Sequence, residues 1–263
     1  MRRAVFNQKG GVGKSTIACN LAAVAAWRGK RALVVDLDAQ ANSSHYLLGP
    51  AADDPGLTLA DFFADTLSLS RDPRPLEEHV RATPYPGLGV LPAGPEMGEL
   101  QSKLEARYKM FKLREALDTL EGYDEIYLDT PPALGFFTRS ALIAADRCLI
   151  PFDCDDFSRR ALYGLLDSVR EIRDDLNEHL QVEGIVVNQY QARARLPQRI
   201  VRALADDGLP VLAPYLPPSI KIRESHELAR PLVFLEPGHR LSQAFVALHD
   251  SLDATAGGPA HKP

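Results

Sequence analysis

Asn7-Gln8-Lys9-Gly10-Gly11-Val12-Gly13-Lys14-Ser15-Thr16 decides how this 263-residue chain is read. Before it, Arg2-Arg3-Ala4-Val5-Phe6 spells a short buried strand. After it, Ile17 to Trp27 is apolar and alanine-rich and spells a helix. A glycine-rich turn between strand and helix is the setting of a phosphate-binding loop. Glycines let the backbone fold tightly, so that successive N–H groups converge on an anion. The helix start adds unpaired donors and a partial positive charge. In that frame Gly10, Gly11, Val12 and Gly13 form the cradle, and Lys14 places an ammonium on the outer phosphates. Ser15 offers a hydroxyl to Mg²⁺, and Thr16 follows on the same turn. The spacing G-x-x-x-x-G-K-[ST] is not strictly met: its first glycine falls on Gln8, and Lys9 precedes the glycine pair. The competing account, a glycine turn with incidental lysines, does not explain why loop, lysine, hydroxyl and flanking elements agree.

Further along, strand-like and helix-like stretches alternate. Strands are expected at 31–36, 88–91, 125–129, 147–150, 182–188 and 211–212, and helices at 57–64, 96–120, 162–176, 196–205 and 241–252. Positions 65–87 are rich in Asp, Pro and Arg and read as surface loop. Buried strands alternating with helices predict a three-layer α/β/α fold, a mostly parallel twisted sheet covered on both faces. A single unit over 1–252 is expected, followed by a disordered tail over 253–263. Ligands of such sheets bind at the carboxyl ends of the strands, where the glycine loop already sits.

Other strand ends carry matching chemistry. The second strand ends in Asp36-Leu37-Asp38, whose carboxylates suit metal or water, although either could instead cap the next turn. The strand 125–129 ends in Asp129-Thr130-Pro131-Pro132. An apolar strand ending in aspartate, downstream of a phosphate loop, is the Walker B arrangement that holds the Mg²⁺ shell. Asn188 ends a later strand, as a base contact or as a plain turn residue.

These residues resemble the deviant phosphate loop of the ParA/MinD family of ATPases, marked by the second lysine before the glycine pair, here Lys9. The Asp-x-Pro-Pro ending, Leu91-Pro92-Ala93, Tyr123-Asp124 and Leu216-Pro217 extend the resemblance from Arg3 to about Leu252, closest to the short ParA members. It implies ATP and Mg²⁺ as cofactors and slow hydrolysis, with Ser15, Asp36 and Asp129 near the metal. It implies that Asp38 positions the attacking water, that Asn188 contacts adenine, and that Lys9 reaches across an ATP-sandwich homodimer. It further implies non-specific binding to double-stranded DNA and a ParB-like or cargo-adaptor protein that stimulates hydrolysis. The expected location is the cytoplasm, on the nucleoid, and the cargo, whether plasmid, chromosome or protein assembly, is not named. The charged segment Asp153-Cys154-Asp155-Asp156-Phe157-Ser158-Arg159-Arg160 departs from the family pattern near the expected dimer face.

Composition narrows the classes. Hydrophobic residues make up 45% and charged residues 25%, ordinary for a globular chain, and the net charge of −5 excludes a globally basic nucleic-acid coat. Cys19, Cys148 and Cys154 are unpatterned and read as structural thiols of a reduced compartment. No signal-peptide pattern and no apolar run of about 18 residues appears. The last residues lack the apolar face of a MinD-type membrane helix, and no cysteine context suits a bridging cluster. No N-terminal helix-turn-helix segment is expected ahead of the loop, nor operator-specific repression. An ATP-dependent synthase or reductase sharing the loop is the alternative function. Local positive charge lies between Tyr190 and Arg240, where 8 basic residues face 5 acidic ones. Arg195, Arg199 and Arg202 at helical spacing, with Lys221 and Arg223, are the expected phosphate contacts on duplex DNA. A solvated helix face with ion pairs fits the same residues.

Overall fold

The computed structural model describes residues 1–68, 74–154 and 158–256. The strands are β1 (Arg2–Val5), β2 (Ala32–Asp36), β3 (Arg81–Ala82), β4 (Leu88–Leu91), β5 (Glu125–Asp129), β6 (Arg147–Asp153), β7 (Gln181–Asn188) and β8 (Val211–Leu212). The helices are α1 (Lys14–Trp27), α2 (Asn42–Leu48), α3 (Leu59–Leu67), α4 (Met97–Ala106), α5 (Lys112–Thr119) and α6 (Phe136–Ala144). They continue with α7 (Ser158–Asp175), α8 (Arg195–Asp206), α9 (Lys221–Glu227), α10 (Leu232–Leu235) and α11 (Arg240–Ala256).

One sheet runs in the order β3-β4-β2-β5-β1-β6-β7-β8. All pairings are parallel except β3 with β4. Alternation along the strands builds two cores. Ala4, Leu33, Val35, Ile126, Leu128 and Ile150 face one side, with the helices α3 to α7. Val5, Val34, Tyr127 and Leu149 face the other, against α1, α10 and α11. This is the expected three-layer architecture. Helix α1 is buried over most of its circumference because it lies between the sheet and α11, which explains its alanine content. Register sets the site: Val5 and Asp36 each pair with Asp129, and Asp153 pairs with Asn188. The carboxyl ends therefore form one row.

Several expectations are corrected. The helix expected over 96–120 is two helices, because the chain turns at Tyr108, which sits at φ 53 and is 82% exposed. The stretch 65–87 is not all loop: it holds a 3-10 turn at Leu76–His79 and the edge strand β3. Helices α2, α6, α9 and α10 lie outside the expected helices. Helix α11 continues past Leu252 to Ala256, with Asp253 ion-paired to Lys30 at 2.6 Å; residues 257–263 lie outside the described residues. Of the charged segment, Asp155, Asp156 and Phe157 also lie outside them, and α7 begins at Ser158.

Candidate nucleotide-binding site

Gly13 stands at the start of α1 with φ 92, a left-handed conformation, and among the described residues no side chain caps the helix. Its first-turn N–H groups are therefore left for an anion. A Cβ on Gly13 would come within 2.5 Å of Asn188 Nδ2, so this position is closed to any larger residue. Asn188 Nδ2 donates to the Val12 carbonyl at 2.9 Å, which ties the end of β7 to the loop. Lys14 is buried, with its ammonium donating to the Lys9 carbonyl at 3.2 Å. Burial lowers its pKa, and Asp129 and Asp38 act against that shift.

Asp36 and Asp129 are fully buried register partners. Asp129 Oδ2 accepts from the Ser43 hydroxyl at 2.7 Å, and Ser43 accepts from the Cys19 thiol at 3.2 Å. Among the described residues, Asp129 Oδ1 is buried without a hydrogen-bond partner. Burial pushes the pKa of both carboxyls up, and Asp129 pushes Asp36 further. The Ser15 hydroxyl pulls Asp129 back down. A vacant buried acceptor beside a hydroxyl and a second carboxylate fits a divalent cation. Asp36, by contrast, is occupied: Oδ2 accepts from Ser44 N at 2.8 Å and Ser44 Oγ at 2.7 Å, and Oδ1 from Asp38 N at 3.2 Å. It anchors the start of α2 and the Asp38 loop.

Two adjoining cavities open at this end of the sheet. One, of about 570 Å³, is lined by Gly10, Lys14, Ser15, Thr16, Asp38 and His226. The other, of about 440 Å³, is lined by Asn188, Pro217, Ile222, Arg223 and Phe245. The first is dominated by the loop. The second adds the apolar side chains of Pro217, Ile222, Leu241 and Phe245 to polar groups such as Asn188 and Gln189. Lys9 turns away from both and ion-pairs with Asp153 at the end of β6, at 2.9 Å.

The expected DNA contacts separate. Arg195, Arg199 and Arg202 share a face of α8 and line a hollow of about 330 Å³ with Gln198 and Asp206. Lys221 is ion-paired with Glu224 at 2.6 Å and Glu236 at 3.2 Å, and Arg223 borders the apolar cavity of the loop. Sequence reasoning did not find Ser43, Ser44 or His226. Ser43 and His226 serve partners 86 and 210 positions away, and Ser44 bonds Asp36 across the turn between β2 and α2, so no residue pattern marks them.

Strand, glycine loop, buried helix and a strand-end aspartate define a P-loop nucleotide-binding protein. The AAA domain family model matches residues 3–182. The chain is 34% identical to the chromosome-partitioning ATPase Soj of Thermus thermophilus over 96% of its length and 95% of that protein. It is 30% identical to the sporulation initiation inhibitor protein Soj of Bacillus subtilis, covering 93% of this chain and 95% of that one. Among solved structures it is similar to cobyrinic acid a,c-diamide synthase of Mycobacterium smegmatis with bound ATP analogue and magnesium. There the TM-score is 0.84 at 24% identity, covering 100% of this chain and 99% of that one. The chain belongs to the ParA/MinD family of P-loop ATPases. Among the described residues, no helix is long and apolar enough to cross a membrane.

Proposed function

We propose that the chain is a ParA-type positioning ATPase that binds duplex DNA without sequence preference in its ATP-bound dimer. The observation that carries the chemistry is the row Ser15, Asp129, Asp36 and Asp38 beneath the glycine loop. Mg²⁺ held by Ser15 and Asp129 would neutralise charge on the outer phosphate oxygens. Asp36 acts behind them, fixing Ser44 and the Asp38 backbone. Lys14 and the N–H groups of the loop stabilise charge on the transferring phosphoryl. Asp38 lines the phosphate cavity, where its carboxylate can accept a proton from water and orient its lone pair. Asn188 and the walls of the apolar cavity take the base. Lys9, released from Asp153, reaches the phosphates of a second copy.

The α8 arginines give the dimer two basic faces, which makes DNA affinity depend on nucleotide. Slow intrinsic hydrolysis, stimulated by a ParB-like or cargo-adaptor protein, then times release from the nucleoid. The name of the Thermus thermophilus relative, a chromosome-partitioning ATPase, supports this reading over a synthase. Phosphate release measured with and without duplex DNA tests it. A slow rate in wild type, lost in Lys14→Ala, is expected. Fast turnover that needs an organic acid would contradict it.

A further inference from the structure

Helix α9 is anchored to the loop by a contact that no phosphate-loop pattern contains. His226 Nε2 lies 3.1 Å from Thr16 Oγ1, and the two residues are 210 positions apart in sequence. The imidazole stacks on Tyr46 of α2, with centroids 4.2 Å apart and planes 8° from parallel. Tyr46 Oη in turn lies 2.5 Å from Ser225 Oγ, the residue before the imidazole, and accepts from Asn20 Nδ2 at 3.2 Å. Asn20 Nδ2 also donates to the Thr16 carbonyl at 2.9 Å. Thr16 is thus held at its backbone and its hydroxyl by one network joining α1, α2 and α9. The same three elements surround the phosphate cavity: α1 brings Lys14 and Ser15, α2 begins at Asn42 beside the Asp38 loop, and α9 brings His226. Three residues before His226, Arg223 borders the apolar cavity. Helix α9 therefore touches both halves of the site.

We propose that His226 is a positioning residue of the nucleotide site, holding the Thr16 hydroxyl and tying α9 to it so that bound ATP fixes the place of α9. The stack on Tyr46 sets the plane of the ring, and the ring nitrogen sets the Thr16 rotamer. A neutral imidazole has one donor and one acceptor nitrogen, so with Nε2 donating, Thr16 keeps its own proton for a phosphate oxygen. Because α9 adjoins the apolar cavity, occupancy by a nucleotide and order in α9 become one event. This rests on the reading that the loop takes ATP.

The test is calorimetric titration of ATP with Mg²⁺ into wild type, His226→Ala, His226→Phe and His226→Gln, with hydrogen exchange of the α9 amides followed in parallel. His226→Ala removes stack and hydrogen bond and should weaken ATP binding about 5- to 10-fold, the scale of one hydrogen bond made to a positioned group. His226→Phe keeps a stacking ring without the nitrogen and should behave like His226→Ala. His226→Gln, which can still bond Thr16, should recover most of the affinity. A purely structural role would instead be restored by Phe. ATP should slow exchange in α9 of wild type and of His226→Gln, and not of His226→Ala. Wild type that takes no ATP overturns the functional reading and this inference with it. Wild type that binds ATP, alongside His226→Ala with unchanged affinity and unchanged α9 protection, overturns this inference alone.

Discussion

The Lys9 ammonium lies 2.9 and 3.0 Å from the two carboxylate oxygens of Asp153. Lys9 belongs to the glycine loop and Asp153 to the end of β6, and the pair spans 144 positions of sequence. A lysine held this way within one copy must leave its partner before it can act on another. The pair is partly exposed, with side-chain exposures of 42% and 29%, and such pairs contribute about 0.2–1 kcal/mol. Asp153→Asn should therefore strengthen ATP-dependent dimerisation about 2- to 5-fold, and Lys9→Ala should abolish it. Light scattering behind a sizing column, with a non-hydrolysable analogue, reads both. Weaker dimerisation in Asp153→Asn would show that the carboxylate supports the dimer instead of competing with it.

Asp38 lines the phosphate cavity, and its Oδ1 accepts from the nearby Gln40 N at 3.0 Å. On the proposed function it acts in the transition state and not in binding. Asp38→Ala should bind ATP and dimerise like wild type, with hydrolysis slowed about 100-fold or more, the scale lost with one oriented catalytic group. Phosphate release under saturating ATP measures this. A wild-type rate would remove Asp38 from the mechanism.

On α8, Arg195, Arg199 and Arg202 line one hollow, and Lys221 is ion-paired with Glu224 and Glu236. Reversing an α8 arginine to glutamate should weaken binding to unrelated duplexes alike. The slope of log affinity against log salt should fall by about 0.9 per lost phosphate contact. Lys221→Glu should matter less. Fluorescence anisotropy across a salt series decides between them, and equal losses at Lys221 and Arg199 would count against the placement of the interface on α8.

At the opposite end of the strands, Glu125 is buried among Arg3 at 3.0 Å, Lys30 at 2.6 Å and His249 at 3.2 Å, and Tyr127 Oη donates to it at 2.6 Å. Burial pushes its pKa up, and the hydrogen bonds from His249, Lys30 and Tyr127 outweigh this and hold it well below the usual carboxylate range. A depressed carboxylate contributes stability above the unfolded value of about 4.3 and loses it as pH falls toward the folded value. Urea midpoints should therefore drop below about pH 4.5. Glu125→Ala, which strands buried cations, should cost about 3–5 kcal/mol at neutral pH. A loss under about 1 kcal/mol would mean that the network is solvated in solution.

Much of this was legible in the sequence because strand ends carry their chemistry locally. Val5 leads into the loop, Asp36 and Asp129 end apolar runs, and parallel register then brings them together. What was not legible depends on distant partners. Helix α2 opens Asn42-Ser43-Ser44, residues that favour caps and turns as readily as a helix, so the stretch reads as loop without its partners. It is held because Ser43 bonds Asp129 and Ser44 bonds Asp36. The apolar spacing from Leu100 to Leu117 hides the turn at Tyr108, since Leu104 before the break and Leu113 after it pack into the same core. His226 sits in a polar stretch and meets Thr16 only in the folded chain. Arg223 and Lys221 looked equivalent to the α8 arginines by charge, and only the fold separates them.

On the proposed function, ATP switches the chain into a form that grips DNA without regard to sequence. The most direct measurement is the affinity for two unrelated duplexes of equal length, at fixed ionic strength, with ATP and then with ADP. Equal affinity for the two duplexes with ATP, and a loss of about tenfold or more with ADP and in Lys9→Ala, is the predicted result. Binding that is indifferent to nucleotide, or that prefers one duplex, would contradict it.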